Sequence, residues 1–179
     1  MKSLVLTLIG PDRPGLVGKL ADVVAAHDGN WEESRMASLG GEFAGLLRVT
    51  VTDARASELE RALADLGDGL QVVVKGGAGA PEDGASDQLD TTGTVLELEL
   101  VGQDRPGIVR EISAALASNG VNVEELESEV TSAPMSGEAL FKARATIRLP
   151  AGTSESDVRA SLEEIALDLV VDVQLDSLR

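Results

Sequence analysis

Asp12-Arg13 and Asp104-Arg105 are the acid–base pairs on which chemistry in this chain would turn. Each lies in a loop that occurs twice, Gly10-Pro11-Asp12-Arg13-Pro14-Gly15 and Gly102-Gln103-Asp104-Arg105-Pro106-Gly107. Each loop follows an alternating apolar run and precedes a helical one. Gly10 and Gly102 allow a tight exit from a strand, the Asp can cap a helix, and the Pro suits a first helical turn. The last Gly lets a backbone or a ligand come close. Free N–H groups at a helix start favour an anion, for instance the carboxylate of a small ligand. Arg13 and Arg105 can hold such a carboxylate or a partner's acid, or stand solvated beside the Asp. The same residues also make a serviceable turn with no ligand. Neither loop is a P-loop, because no Gly-Lys-Ser/Thr follows, and G-x-G-x-x-G is absent.

Little else in the chain is reactive. There is no Cys, so disulfides, thiolate nucleophiles and thiolate-bound metals are excluded together. His27 is the one histidine, which rules out a His cluster for zinc and leaves a Ser–His–Asp triad conceivable on paper only. His27 falls at a helix end, where Asn119 stands in the other copy, and reads as a cap or surface residue. Trp31 replaces Val123 and reads as core or interface packing. Glu32-Glu33 and Glu124-Glu125 are adjacent carboxylates. Neighbours on a strand point to opposite faces, so these pairs are not expected to flank one bond. No cofactor, no metal and no catalytic residue is expected.

The elements that position the loops repeat with them. Across Leu4–Glu33 and Leu96–Glu125, offset by 92 positions, 13 of 30 pairs are identical, DRPG among them. Two copies are too few for a solenoid and imply two similar small domains. In each copy an alternating strand (Lys2–Ile9, Thr94–Val101) leads into the loop and a helix, with Leu16, Val17, Leu20, Val23 and Val24 or Ile108, Val109, Ile112 and Leu116 at helical spacing. Asp28-Gly29 and Asn119-Gly120 end these helices. Strands follow from Asn30 and Asn122, then from Glu42 to Thr52 and Glu138 to Leu149. The turn between them is longer in the second copy, around Ser132–Gly137. A second helix starts near Ala56–Ser57 and Thr153–Ser154, and final strands run Leu70–Lys75 and Val170–Leu175. The order βαββαβ is the ferredoxin-like unit, an α+β fold whose antiparallel sheet carries two helices on one face. The expected division is 1–76, a Gly-, Ala- and Asp-rich linker at 77–93, and 94–179.

Composition narrows the partners. The chain of 179 residues is 43% hydrophobic and 2% aromatic, so the cores must be built from aliphatic side chains. The net charge of −16 opposes direct binding to nucleic acid, whose phosphates need a basic face. It serves solubility, and it could also offer an acidic face to a basic partner. No apolar stretch is long enough for a membrane span, and the start of the chain reads as a strand rather than a signal peptide, so a cytoplasmic protein is expected.

The DRPG loop, the helix, and an Asn fifteen positions after the last Gly (Asn30, Asn122), all within βαββαβ, resemble the ACT domain, an amino-acid-sensing module. Two such modules without a catalytic domain are similar to the glycine cleavage system transcriptional repressor family. In amino-acid-binding members the position before Arg-Pro-Gly and the later Asn contact the ligand where two modules meet. The resemblance therefore implies a site from Asp12, Asn30, Asp104 and Asn122, with the backbone of Gly10, Pro11, Gly102 and Gln103 nearby. Many family sites have Asn in the loop, or His two residues earlier; this chain has Asp and Gly there. The function implied is sensing of a glycine-like amino acid and modulation of a protein partner, a DNA-bound transcriptional activator. The alternative is a detached regulatory subunit of an amino-acid or one-carbon metabolic enzyme. Self-pairing as a homodimer is also expected. Formyltetrahydrofolate deformylase and phosphoserine phosphatase carry similar modules, but each needs a further catalytic domain, so this chain reads as no enzyme.

Overall fold

The computed structural model describes residues 1–67, 69–76, 93–133 and 137–177. The chain divides into two compact units, Met1–Asp87 and Gln88–Arg179. The first contains β1 (Lys2–Pro11), α1 (Leu16–Ala26), β2 (Asn30–Leu39), β3 (Glu42–Val51), α2 (Asp53–Ala64) and β4 (Gln71–Gly76). The second repeats them as β5 (Thr94–Gln103), α3 (Ile108–Ser118), β6 (Asn122–Ser132), β7 (Ala139–Leu149), α4 (Glu155–Leu169) and β8 (Val171–Ser177). Residues 77–92, most of the expected linker, lie outside the described residues, as do residues 134–136 of the longer turn.

Each unit holds one antiparallel four-stranded sheet, ordered β2-β3-β1-β4 and β6-β7-β5-β8. Period-two alternation decides which face is covered. Leu4, Leu6 and Leu8 point to the helices with Leu47, Val49 and Val51, and meet Leu20, Val24, Leu59 and Leu63. The second core is built the same way from Leu96, Leu98 and Leu100, Ile147 and Leu149, Ile112, Leu116 and Leu162. Among the described residues no polar or charged side chain is buried. Burial of each Leu contributes about 1.5–3 kcal/mol, so these aliphatic rows hold the small units together.

The element ends differ from expectation for local reasons. Helix α2 begins at Asp53, ahead of the expected Ala56–Ser57, because Asp53 supplies the first-turn acid that favours a helix start. The final strands start one residue later than expected, at Gln71 and Val171. Val170, read as a strand residue, instead ends α4 in the left-handed region at φ 54°. Gly69 takes the same place in the first unit, at φ 80°.

Candidate functional site

The repeated loop is fixed by glycines at both ends, each for its own reason. A Cβ on Gly10 would lie 2.9 Å from the Gly69 oxygen and the Leu70 Cα. One on Gly102 would lie 2.8 Å from the Val171 Cα. Close passage of the neighbouring strand start therefore demands glycine there, in both units. Gly15 and Gly107 stand at φ 91° and 99°, immediately before α1 and α3, a conformation L side chains rarely adopt. Their carbonyls accept the first helical bonds, from Lys19 N and Glu111 N, both at 3.0 Å.

Neither aspartate caps a helix. The N-cap positions are Gly15 and Gly107, with no side-chain cap bond, and Pro14 and Pro106 lie before the helices rather than in their first turns. The reason is geometric: the loop still follows the sheet at Asp12, whose N–H bonds Gly41 O at 2.9 Å, and Asp104 N–H does the same to Ala139 O at 2.9 Å. The Asp12 carboxylate accepts a hydrogen bond from Ser38 Oγ at 2.6 Å. Sequence reasoning missed Ser38, which is 26 positions away and carries no motif.

The two loops differ in which charge they leave available. Asp12 is engaged by Ser38, whereas Arg13 is exposed with no hydrogen-bond or ion-pair partner among the described residues. In the second unit Arg105 folds onto the C-terminal end of α4 and donates from its guanidinium to Asp168 O, leaving its Nε buried and unpaired. Asp104 is exposed, and its carboxylate has no partner among the described residues. Among the described residues loop one thus leaves its cation, and loop two its anion, without a partner. Helix α1 also has no acid in its first turn, whereas α3 has Glu111.

Asn30 and Asn122 are exposed at the first positions of β2 and β6, opposite Thr50 and Arg148. The loops sit at the other end of each sheet, where Pro11 pairs with Glu42 and Gln103 with Leu140. From Glu42 to Thr50, and from Leu140 to Arg148, is eight residues, which at the usual strand rise is roughly 26 Å. Within one unit the Asp and the Asn cannot touch the same small ligand.

Beside each Asn the sheet carries a feature the sequence reading got wrong. A β-bulge falls between Trp31 and Glu33, and again between Val123 and Glu125. The extra residue breaks strict alternation, so adjacent glutamates reach the same side. Arg48 pairs with both Glu32 (3.4 Å) and Glu33 (3.1 Å). Arg148 pairs with Glu124 and also donates to Gly93 O. The expectation of opposite faces fails for this reason. The carboxylates are held by arginine rather than aimed at a bond.

His27 and Asn119 end α1 and α3 alike: His27 Nδ1 lies 2.8 Å from Val23 O, and Asn119 Nδ2 donates to Ala115 O at 2.8 Å. Trp31 packs on the first core, with Nε1 donating to Ser34 Oγ. The second unit also has an apolar cavity of about 200 Å³ between α3 and its sheet, lined by Leu98, Val109, Leu116, Val123 and Leu126 among others. Among the described residues no group of three or more His, Cys, Asp or Glu could hold a metal ion, and no helix is long and apolar enough to cross a membrane.

Comparison with known proteins agrees with this architecture. ACT-domain family models match residues 2–75 and 96–147. The chain is 23% identical over 168 residues to the glycine cleavage system transcriptional repressor of Escherichia coli (strain K12), covering 93% of this chain and 85% of that one. It is 36% identical over 81 residues to a UPF0237 protein of Methanopyrus kandleri, covering 42% of this chain and 88% of the relative. A solved structure of an unknown protein from Galdieria sulphuraria superposes with a TM-score of 0.84 at 29% identity, over 99% of both chains. The chain belongs to the ACT-domain family, with two ACT domains in tandem, each an antiparallel sheet with its helices packed on one face.

Proposed function

We propose that this protein senses a small amino acid through its repeated loops and passes the signal to a protein partner. The observation that carries this reading is the duplicated loop, on which Asp12, Arg13 and Asp104 are exposed, with no group that could hold a metal ion among the described residues. The site comprises Asp12, Asn30, Asp104 and Asn122, with the backbone of Gly10, Pro11, Gly102 and Gln103. Because Asp and Asn lie at opposite ends of one sheet, a small ligand held within one unit meets one of them and not the other. The available Arg13 suits a ligand carboxylate, and the available Asp104 suits an ammonium. The two loops are therefore not interchangeable.

The partner favoured is an amino-acid or one-carbon metabolic enzyme, for which this chain serves as a detached regulatory subunit in the cytoplasm. Such a role asks only for a ligand site and a docking face, and a net charge of −16 makes a protein partner the natural target. A transcriptional activator as partner, with glycine as ligand, is the second reading, favoured by the name of the Escherichia coli relative. Capture of partners from native extract by the tagged full-length chain, with and without added amino acids, separates them. The enzyme reading expects a metabolic enzyme whose activity changes when the chain and the amino acid are added together. Recovery of a DNA-binding protein, with no effect on any enzyme, favours the second. No amino-acid-dependent partner at all contradicts both.

A further inference from the structure

The two cores are not filled alike. In the first unit Gly45 stands opposite Leu8 and Met36, and Leu47 opposite Leu6 and Ser34. The matching residues of the second unit are Ala143, opposite Leu100 and Ser128, and Ala145, opposite Leu98 and Leu126. The first unit closes this space. Leu47 is buried in it, and Met36 lies over Gly45, where an added Cβ would come 2.5 Å from the Met36 Cγ. Trp31 packs on the same core. The second unit has a smaller side chain at all three places: Ala145 for Leu47, Ser128 for Met36 and Val123 for Trp31. Leu126 does not make good the loss, because it is 48% exposed. What remains is the cavity of about 200 Å³ between α3 and its sheet. Protein interiors are close-packed, with few voids larger than a water molecule. The first unit has the same fold with this space filled, so folding does not require the cavity.

We infer that this cavity binds a small uncharged apolar molecule, the size of one aromatic ring or a short branched hydrocarbon chain. Volume sets the size: an apolar cavity of about 150 Å³ is enough for benzene. The lining sets the class. Ser113 carries the only polar side chain among the lining residues, so a water would lack the roughly two to four polar partners it needs. An ammonium or a carboxylate would be buried there without a counter-charge, a cost that apolar contacts do not offset. A zwitterionic amino acid is therefore excluded, and the site is separate from the repeated loops. Access is built in. Leu98, Ile112 and Leu116 are buried at its floor, while Val109 and Val123 are 42% and 37% exposed and, with Leu126, form its mouth. A ligand enters between α3 and β6 and makes the contacts that Leu47 and Met36 make permanently in the first unit.

Titration of benzene and of indole into the chain, followed by NMR of the methyl groups, tests this. Expected are saturable shifts, at millimolar probe or below, in the methyls of Leu98, Leu116, Val123 and Ala145, and none in those of Leu6, Leu20 and Leu47. Ala145→Leu and Ser128→Met restore the first unit's residues, and each should weaken the probes at least about tenfold by occupying the space. Ser128 is exposed, so Ser128→Met decides the matter even if a leucine at 145 overpacks the core and lowers the melting temperature. Absence of saturable shifts, shifts of equal size in both units, or a Ser128→Met variant that binds like the parent would overturn the assignment. So would displacement of benzene by leucine or phenylalanine, which would make the cavity the side-chain pocket of a sensed amino acid.

Discussion

Asp12 and Asp104 occupy the same place in two loops of almost the same sequence, yet one carboxylate is engaged and the other available. The difference comes from the surroundings: Ser38 approaches Asp12, while Arg105 turns away from Asp104 to the end of α4. Neither acid caps a helix, so Asp104→Ala should change stability by less than about 0.5 kcal/mol, as for most surface sites. A loss near 1 kcal/mol in thermal or urea melting would instead restore the capping reading. The arginines should separate in the opposite sense. Arg105→Ala removes packing and a hydrogen bond at the end of α4 and should lower the melting temperature. Arg13→Ala should leave melting intact and weaken binding of a carboxylate ligand. Equal effects of the two substitutions on melting would contradict the asymmetry. The loop itself was legible in the sequence because glycine positions and repetition mark it. Which side chains it leaves available was not, because Ser38 and Asp168 come from distant elements with no pattern of their own.

Most elements could be read from periodicity, since aliphatic residues at spacings of two and of three to four leave little ambiguity in a chain with so few aromatics. The bulges beside Asn30 and Asn122 could not. Two adjacent glutamates look the same in a regular strand and in a bulged one, and only the register against Arg48 and Thr146 shows the extra residue. Val170 was misread for a related reason: a β-branched residue ahead of a strand run looks like strand. The structure gives it a left-handed conformation at φ 54°, with Gly69 at the matching place in the first unit. Left-handed geometry costs an L residue about 1–2 kcal/mol, and Val170 is exposed, so little packing offsets it. Val170→Gly should therefore stabilise the protein by roughly 1 kcal/mol after allowance for the glycine's greater freedom when unfolded. An unchanged or lowered urea midpoint would show that Val170 is not strained.

For the chain as a whole, duplication points to two similar modules and the net charge of −16 opposes nucleic acid as a partner. The chain should show no salt-dependent retention on duplex DNA in a gel-shift, since its net charge of −16 repels phosphates. Tight binding that weakens steeply with salt would contradict that. Binding of a small amino acid is measured by calorimetric titration of the twenty amino acids into this chain. Saturable binding of at least one small amino acid is expected. Asn30→Ala and Asn122→Ala, at exposed strand starts, should lower that affinity roughly ten- to a hundredfold, the loss of one charge-assisted hydrogen bond, without lowering the melting temperature. No heat with any amino acid at millimolar concentration, or full affinity in both asparagine variants, would contradict the sensing proposal.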